Sequence, residues 1–266
     1  MRIIRVRHRG QAFYAAIVSP ESVRPLNREA GQPEEIPLAE LELLSLIRPS
    51  KVVCVGLNYL DHAREMGLAV PEEPILFLKP PSSVIGAGDA IVLPASSEQV
   101  DYEAELALVI GRTARYVSEA DAARHIFGYT CANDVTARDL QKKDGQWSRA
   151  KGFDTFCPVG PWIETEPGDL HSLALRAVVN GEVRQEGNTA NMIFPPHLLV
   201  SYISNIMTLL PGDVILTGTP AGVGPIRAGD EVSVEIDRVG FLQNTVMGEN
   251  IVEGIGEDTG EPTAMQ

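Results

Sequence analysis

The stretch Asp101-Tyr102-Glu103-Ala104-Glu105-Leu106-Ala107-Leu108-Val109-Ile110 decides how this chain is read. Glu103 and Glu105 stand two apart in a run with strand character. Strand side chains alternate in direction, so both carboxylates face one side. From Leu106 the run turns apolar, as a strand does on entering a core. Two like charges on one face repel, and burying them together is costly unless a cation compensates. Asn133-Asp134 supplies a third carboxylate. Glu103, Glu105 and Asp134 form an oxygen-only donor set suited to Mg²⁺ or Mn²⁺, with Ca²⁺ as a further candidate, and leave positions open for water or substrate. By itself Glu-x-Glu also decorates exposed strand edges, where charge discourages aggregation. The neighbouring segments separate the two readings.

Four of them carry chemistry. In Asn133-Asp134-Val135-Thr136-Ala137-Arg138-Asp139-Leu140-Gln141, a helix opened by Asp134 places Arg138 at i+4 and Gln141 at i+7 on its face. In Arg149-Ala150-Lys151-Gly152-Phe153-Asp154-Thr155, Lys151 sits among small and apolar residues, as a partly buried ammonium would. Such a cation offsets the negative excess of three carboxylates and an anionic substrate. In Gly56-Leu57-Asn58-Tyr59-Leu60-Asp61-His62-Ala63-Arg64-Glu65, His62 and Glu65 are i,i+3 neighbours on a short helix. A Glu that holds one imidazole nitrogen leaves the other basic. In Thr217-Gly218-Thr219-Pro220-Ala221-Gly222-Val223-Gly224, glycines permit close backbone approach and the Thr219 hydroxyl can donate to a carboxylate. This loop is neither a Walker A loop nor a dinucleotide fingerprint.

Composition bounds the rest. A chain of 266 residues, 44% hydrophobic and 22% charged, buries a sizeable core. The net charge of −14 argues against nonspecific nucleic-acid or anionic-membrane binding. It leaves room for a locally positive pocket. No run is long enough to span a bilayer. The first residues, Met1 to Gly10, alternate basic and apolar and read as a first strand, not a signal peptide. Three cysteines, Cys54, Cys131 and Cys157, form no C-x-x-C pair, and their apolar contexts point to buried, inert thiols in a reducing cytoplasm.

Residues 1–48 read as a small strand-rich N-terminal domain, with a loop from Pro25 to Pro37 and a short helix from Leu38 to Ile47. Residues 49–266 read as the catalytic domain. Strands are expected at 51–56, 74–79, 90–94, 178–183, 214–217 and 231–236. Helices are expected at 61–66, 118–126 (capped by Ser118), 135–142 and 197–209. Pro211-Gly212-Asp213 and Ala228-Gly229-Asp230, each just before a strand, point to a β-rich roll or barrel, not a βαβ repeat. Residues 254–266 are polar and expected to fray. The fold class expected is α+β, β-rich.

Together and in this order, these residues resemble the fumarylacetoacetate hydrolase family. The matching pieces are Gly-Leu-Asn-Tyr-x-x-His62-x-x-Glu65, Phe-Leu-Lys79-Pro, Glu103-x-Glu105-Leu, Asn-Asp134-Val-Thr-Ala-Arg138-Asp-Leu-Gln141, Lys151-Gly-Phe-Asp-Thr and Thr-Gly-Thr219-Pro-x-Gly-Val-Gly, spread over roughly residues 50 to 225. The resemblance implies a mixed β-roll catalytic domain, a homodimer, and a Mg²⁺ or Mn²⁺ site of Glu103, Glu105 and Asp134. It implies a catalytic dyad of His62 and Glu65 on a lid, with Lys151 beside it, and substrate contacts from Arg138, Gln141, Thr219 and Lys79. The chain is shorter than fumarylacetoacetase itself, and nothing in it supports that particular substrate.

The chemistry expected is enolate stabilisation on a small anionic 2-oxo or 2,4-dioxo acid. Hydrolysis of an acylpyruvate or decarboxylation of an oxaloacetate-like acid comes first, and isomerisation of 2-hydroxyhepta-2,4-diene-1,7-dioate is the alternative. Residues 142–149 and 191–196 are expected to shape the substrate's tail, through Trp147 and Phe194. A non-catalytic metal- or carboxylate-binding domain would need the acidic residues but not His62-x-x-Glu65.

Overall fold

The computed structural model describes residues 1–27 and 33–249. The expectation for 254–266 therefore lies outside the described residues. The Ala104–Ile110 strand is the spine of the molecule. It is buried along its whole length and pairs antiparallel with Ile126–Asn133 on one side and Val214–Leu216 on the other. Leu106, Leu108 and Ile110 point into the largest core cluster, while Ala107 and Val109 point into a second cluster on the opposite face. A strand covered on both faces needs no polar alternation, which is why this run is apolar from Leu106 onward.

Ten strands follow one path through the large mixed sheet, from Ile36–Pro37 by way of Arg2–His8, Cys157–Glu164 and the spine to Val52–Gly56 and the edge strand Ile75–Lys79. A five-stranded sheet packs on it, ordered Glu182–Asn188, Ala174–Val179, Glu231–Ile236, Gly240–Gly248 and Ala90–Leu93. A small third sheet holds Thr136–Ala137, Val100–Tyr102 and Gly224–Pro225. The class is α+β, rich in strand, as expected. The N-terminal strand Arg2–His8 joins the large sheet by pairing with Cys157–Glu164, and a small cluster of Ile4, Val6, Ala15, Val23 and Ile36 fills the hairpins beside it.

Several local expectations need correction. The 101–110 run is two strands, because the chain leaves the small sheet after Tyr102 and enters the large one at Ala104. Between them the Glu103 N–H donates to the Asn133 side chain (2.9 Å) and the Glu103 carbonyl accepts from the Asp134 N–H (2.9 Å). Leu38 to Ile47 is not a helix. A single 3₁₀ turn, Leu38–Glu40, leads into Glu42–Leu43, which pairs with Val6 and Arg7. The Arg7 guanidinium holds Glu42 at 2.6 Å and fixes that register.

The expected 178–183 strand is a hairpin. Asn180 and Gly181 both take positive φ (53° and 80°), the turn an Asn-Gly pair favours between strands. The helix after Asp134 starts only at Arg138, since Thr136–Ala137 is diverted into the small sheet against Asp101 and Val100. Helices Leu60–Glu65 and Pro196–Ile206 agree with expectation, and Ser118 caps its segment, which is 3₁₀. No helix among the described residues is long and apolar enough to cross a membrane.

Candidate active site

The break at Glu103 builds the site. It lets Glu103 and Glu105 bracket Ala104, while the end of the paired strand Ile126–Asn133 delivers Asp134 beside them. Ligand oxygens of Glu103, Glu105 and Asp134 all lie within 4.8 Å of one another, and all three residues are buried. The expectation that Asp134 and Arg138 share a helical face fails, because Asp134 precedes the helix. Arg138 and Gln141 do share one, joined by a 2.6 Å hydrogen bond from Arg138 Nη1 to Gln141 Oε1.

Three cations interlock with these carboxylates. Lys151 Nζ donates to Glu103 Oε2 (2.9 Å) and Asp134 Oδ2 (2.5 Å). Lys79 Nζ donates to the other Asp134 oxygen (2.6 Å) and to the Val135 carbonyl (3.0 Å). Arg138 bridges Glu103 (Nη2, 2.5 Å) and Asp101 (Nε, 2.8 Å). Counting Asp101, four carboxylates face three cations, an excess of one negative charge. The excess falls on Glu105, whose hydrogen bond comes from the Gly218 backbone N–H (2.6 Å).

Burial, then the charges of Asp134 and Glu103, push the Glu105 carboxyl well above the usual range. Burial works on Glu103 in the same direction, but Lys151 and Arg138 outweigh it and hold this carboxyl down at about 2. Lys151 stays protonated although burial opposes its charge, because Asp134 and Glu103 raise its pKa. An oxygen-only set with one uncompensated buried carboxylate fits a hard divalent cation, which removes that excess.

A cavity of about 330 Å³ opens from this charged floor. Glu103, Glu105, Asp134, Lys151, Arg138, Gln141, Lys142 and Thr219 give it polar walls, and Leu57, Met66, Leu68, Ile75, Phe77 and Trp147 give it apolar ones. His62 lines it from the Leu60–Glu65 helix, with Nδ1 3.2 Å from Glu65 Oε2. The Glu65 carboxylate also accepts the Gly222 N–H at 3.1 and 3.2 Å, tying this helix to the glycine-rich loop. That loop presents Thr219, whose hydroxyl donates to the Ala104 carbonyl (2.9 Å) and accepts from Gln185 Nε2 (2.9 Å).

Nine of the ten residues expected at the site are thus at the cavity or, for Glu65, bonded to a residue that lines it. Lys79 is placed otherwise: fully buried behind Asp134 and outside the cavity lining, it positions that carboxylate. Phe194, expected against the substrate's tail, packs in the core and bonds through its backbone to Asn58, while Trp147 does line the cavity. Two positioning groups escaped the sequence reading. Asp101 completes an every-second-residue carboxylate series with Glu103 and Glu105, a signal within the opening stretch itself. Gln185 accepts the Ala104 N–H (2.9 Å) and donates to Thr219 and to the Pro220 carbonyl. It reaches the site from the other sheet, and nothing near it in the sequence announces this.

The family pattern described as fumarylacetoacetate (FAA) hydrolase C-terminal matches residues 51–247. The human mitochondrial protein named oxaloacetate tautomerase FAHD2A is 46% identical over 230 residues, 82% of this chain and 73% of that one. A crystal structure of 5-carboxymethyl-2-hydroxymuconate delta-isomerase from Mycobacterium smegmatis superimposes with a TM-score of 0.84 at 47% identity, covering 94% of this chain and 99% of its own. A crystal structure of 2-hydroxyhepta-2,4-diene-1,7-dioate isomerase from Mycobacterium marinum also reaches 0.84, at 46% identity with the same coverage.

Proposed function

The chain belongs to the fumarylacetoacetate hydrolase family, and on that premise we propose that it is a divalent-metal-dependent enzyme that moves a proton on a 2-oxo acid through its enolate. The observation that carries this reading is the buried carboxylate triad with Lys151 locked across it and His62 facing the same cavity. Cleavage came first on sequence grounds. The relatives named above are a tautomerase and two isomerases, which puts the proton shift ahead of it.

Glu103, Glu105 and Asp134 would hold Mg²⁺ or Mn²⁺, which when bound supplies Lewis-acid polarisation of the substrate's 2-oxo group. The remaining work belongs to side chains. Lys151 spends two of its three N–H bonds on Glu103 and Asp134 and keeps a third for the oxygen that gains charge as the enolate forms. Gln141 accepts from Arg138 through its carbonyl, which leaves its NH₂ to donate to a substrate carboxylate. With Nδ1 donating to Glu65, His62 keeps a basic Nε2 to take a proton from carbon and return it at another position. Glu65 holds that tautomer and is itself held by Gly222.

The second reading is C–C cleavage, and the same dyad favours it, because hydrolysis needs a base to activate water. One experiment separates them. Loss of the oxaloacetate enol and appearance of pyruvate are followed in the same sample, with Mg²⁺, with Mn²⁺ and with chelator, for wild type and His62→Ala. Enol loss without pyruvate, abolished by chelator and slowed roughly 10²–10⁴-fold in the variant, supports the proton shift. Pyruvate formed in step with enol loss moves decarboxylation to the front, and pyruvate released from acetylpyruvate by wild type but not by His62→Ala moves hydrolysis there. No acceleration of either process with any metal overturns both for this acid.

A further inference from the structure

The apolar side of the cavity has a feature that the charged floor does not explain. Its wall is the indole of Trp147, which meets Phe77 edge-on with centroids 5.2 Å apart and planes at 73°. The indole lies against Gly56, the last residue of the Val52–Gly56 strand. A Cβ built on Gly56 would stand 2.9 Å from Trp147 Cζ3 and 3.1 Å from Cη2. Gly56 has no positive φ, so its backbone does not call for glycine. The contact with the indole does. Trp147 also stands one helical turn before Lys151, whose backbone N–H bonds the Trp147 carbonyl at 3.0 Å, and the Lys151 ammonium lies 5.0 Å from the Phe77 ring centroid. The apolar wall and the charged centre are therefore parts of one rigid piece.

We propose that Trp147, seated on Gly56 and backed by Phe77, is the residue that sets substrate length: it closes an apolar slot for the carbon chain of a 2-oxo acid beyond the carbons held at the carboxylate floor. The inference rests on the reading of the floor as a 2-oxo acid site and adds the chemical class of the tail. Leu57, Met66, Leu68 and Ile75 add to the slot's apolar lining, and Lys142 also borders the cavity. The apolar lining thus favours an alkyl or aryl tail on the 2-oxo acid.

The slot's two walls give opposite predictions. In Gly56→Ala the methyl group displaces the indole, which cannot retreat through Phe77, and the slot shortens. In Trp147→Ala it lengthens. The test is calorimetric binding of straight-chain 2-oxo acids, from pyruvate upward one methylene at a time, to the Mg²⁺-loaded protein, together with turnover of the same acids. Affinity is expected to rise roughly fourfold per methylene and then stop. Gly56→Ala is expected to stop the rise earlier and cut the long-to-short affinity ratio about tenfold, and Trp147→Ala to let it run to longer acids.

If Trp147→Ala melts early, Trp147→Phe keeps packing on Phe77 and is expected to shift the limit by a smaller step in the same direction. Affinity indifferent to tail length, or a limit unmoved by any variant, overturns the assignment of Trp147. Length-dependent binding without turnover upholds it while removing the proposed reaction. Absence of binding across the whole series overturns both.

Discussion

At Glu105 the balance of charge is visible in a single side chain. Its neighbours are carboxylates, the cations are hydrogen-bonded to Glu103, Asp134 and Asp101, and its own hydrogen bond comes from the Gly218 backbone N–H. Without metal, this carboxylate destabilises the fold. Glu105→Gln is therefore expected to raise stability in chelator by about 1–3 kcal/mol, measured by urea denaturation. The same substitution should erase most of the rise in melting temperature that Mg²⁺ or Mn²⁺ gives wild type, since ligand binding stabilises only the state that binds. A variant that melts earlier in chelator, or that keeps the full metal-dependent rise, would contradict this account. The residue scale is also where the sequence was most legible. Strand alternation alone put Glu103 and Glu105 on one face. What it could not supply was the identity of their partners. Lys79 reads as one more cation in a Pro-bounded strand until the fold sets it behind Asp134.

Among the elements, the parallel pairing of Val214–Leu216 with Val52–Gly56 is pinned by Asp213. This fully buried carboxylate accepts from the Ser50 N–H (3.0 Å), Ser50 Oγ (2.6 Å), the Lys51 N–H (3.2 Å) and the Leu210 N–H (2.8 Å), and pairs with the Lys51 ammonium. Burial alone would raise its pKa, but these donors and Lys51 together lower it. The sign follows. A carboxyl with a folded pKa below its unfolded value stabilises the protein at all pH above the unfolded value, and that stability is lost as pH falls through the folded one. Asp213→Asn is expected to cost about 2–4 kcal/mol at pH 7. In urea melts the gap to wild type should narrow as pH drops below about 4, and a gap that is independent of pH would contradict the argument.

The sequence marked this element through its Pro-Gly-Asp turn, because turn chemistry is local. The same reasoning overlooked the Asn180-Gly181 turn, where an apolar run on both sides concealed a hairpin. It also carried the helix back to Asp134, because propensity holds no information about Thr136 being drawn into a sheet by residues thirty-five positions earlier.

Across the whole molecule, the exposed apolar side chains Leu68, Val70, Ile75 and Leu78 fall in one short stretch that ends in the edge strand of the large sheet. An apolar sheet edge of this kind invites a partner. The homodimer implied by the family resemblance is our proposal at this scale. Sedimentation velocity is expected to return twice the 28.8 kDa of one chain, and a Leu78→Lys variant to shift the equilibrium toward monomer. A single 28.8 kDa species at micromolar concentration would count against it. The chain's own residues determined the donor chemistry, the sheet-rich class and the segments that carry the site, because residue type, alternation and turn signals are local properties. Only the tertiary structure decided that the strand breaks at Glu103, that Gln185 belongs to the site, and that Trp147 rests on Gly56. Each of those facts is a contact between distant stretches of chain. Such contacts come from packing one sheet on another, and no local pattern encodes them.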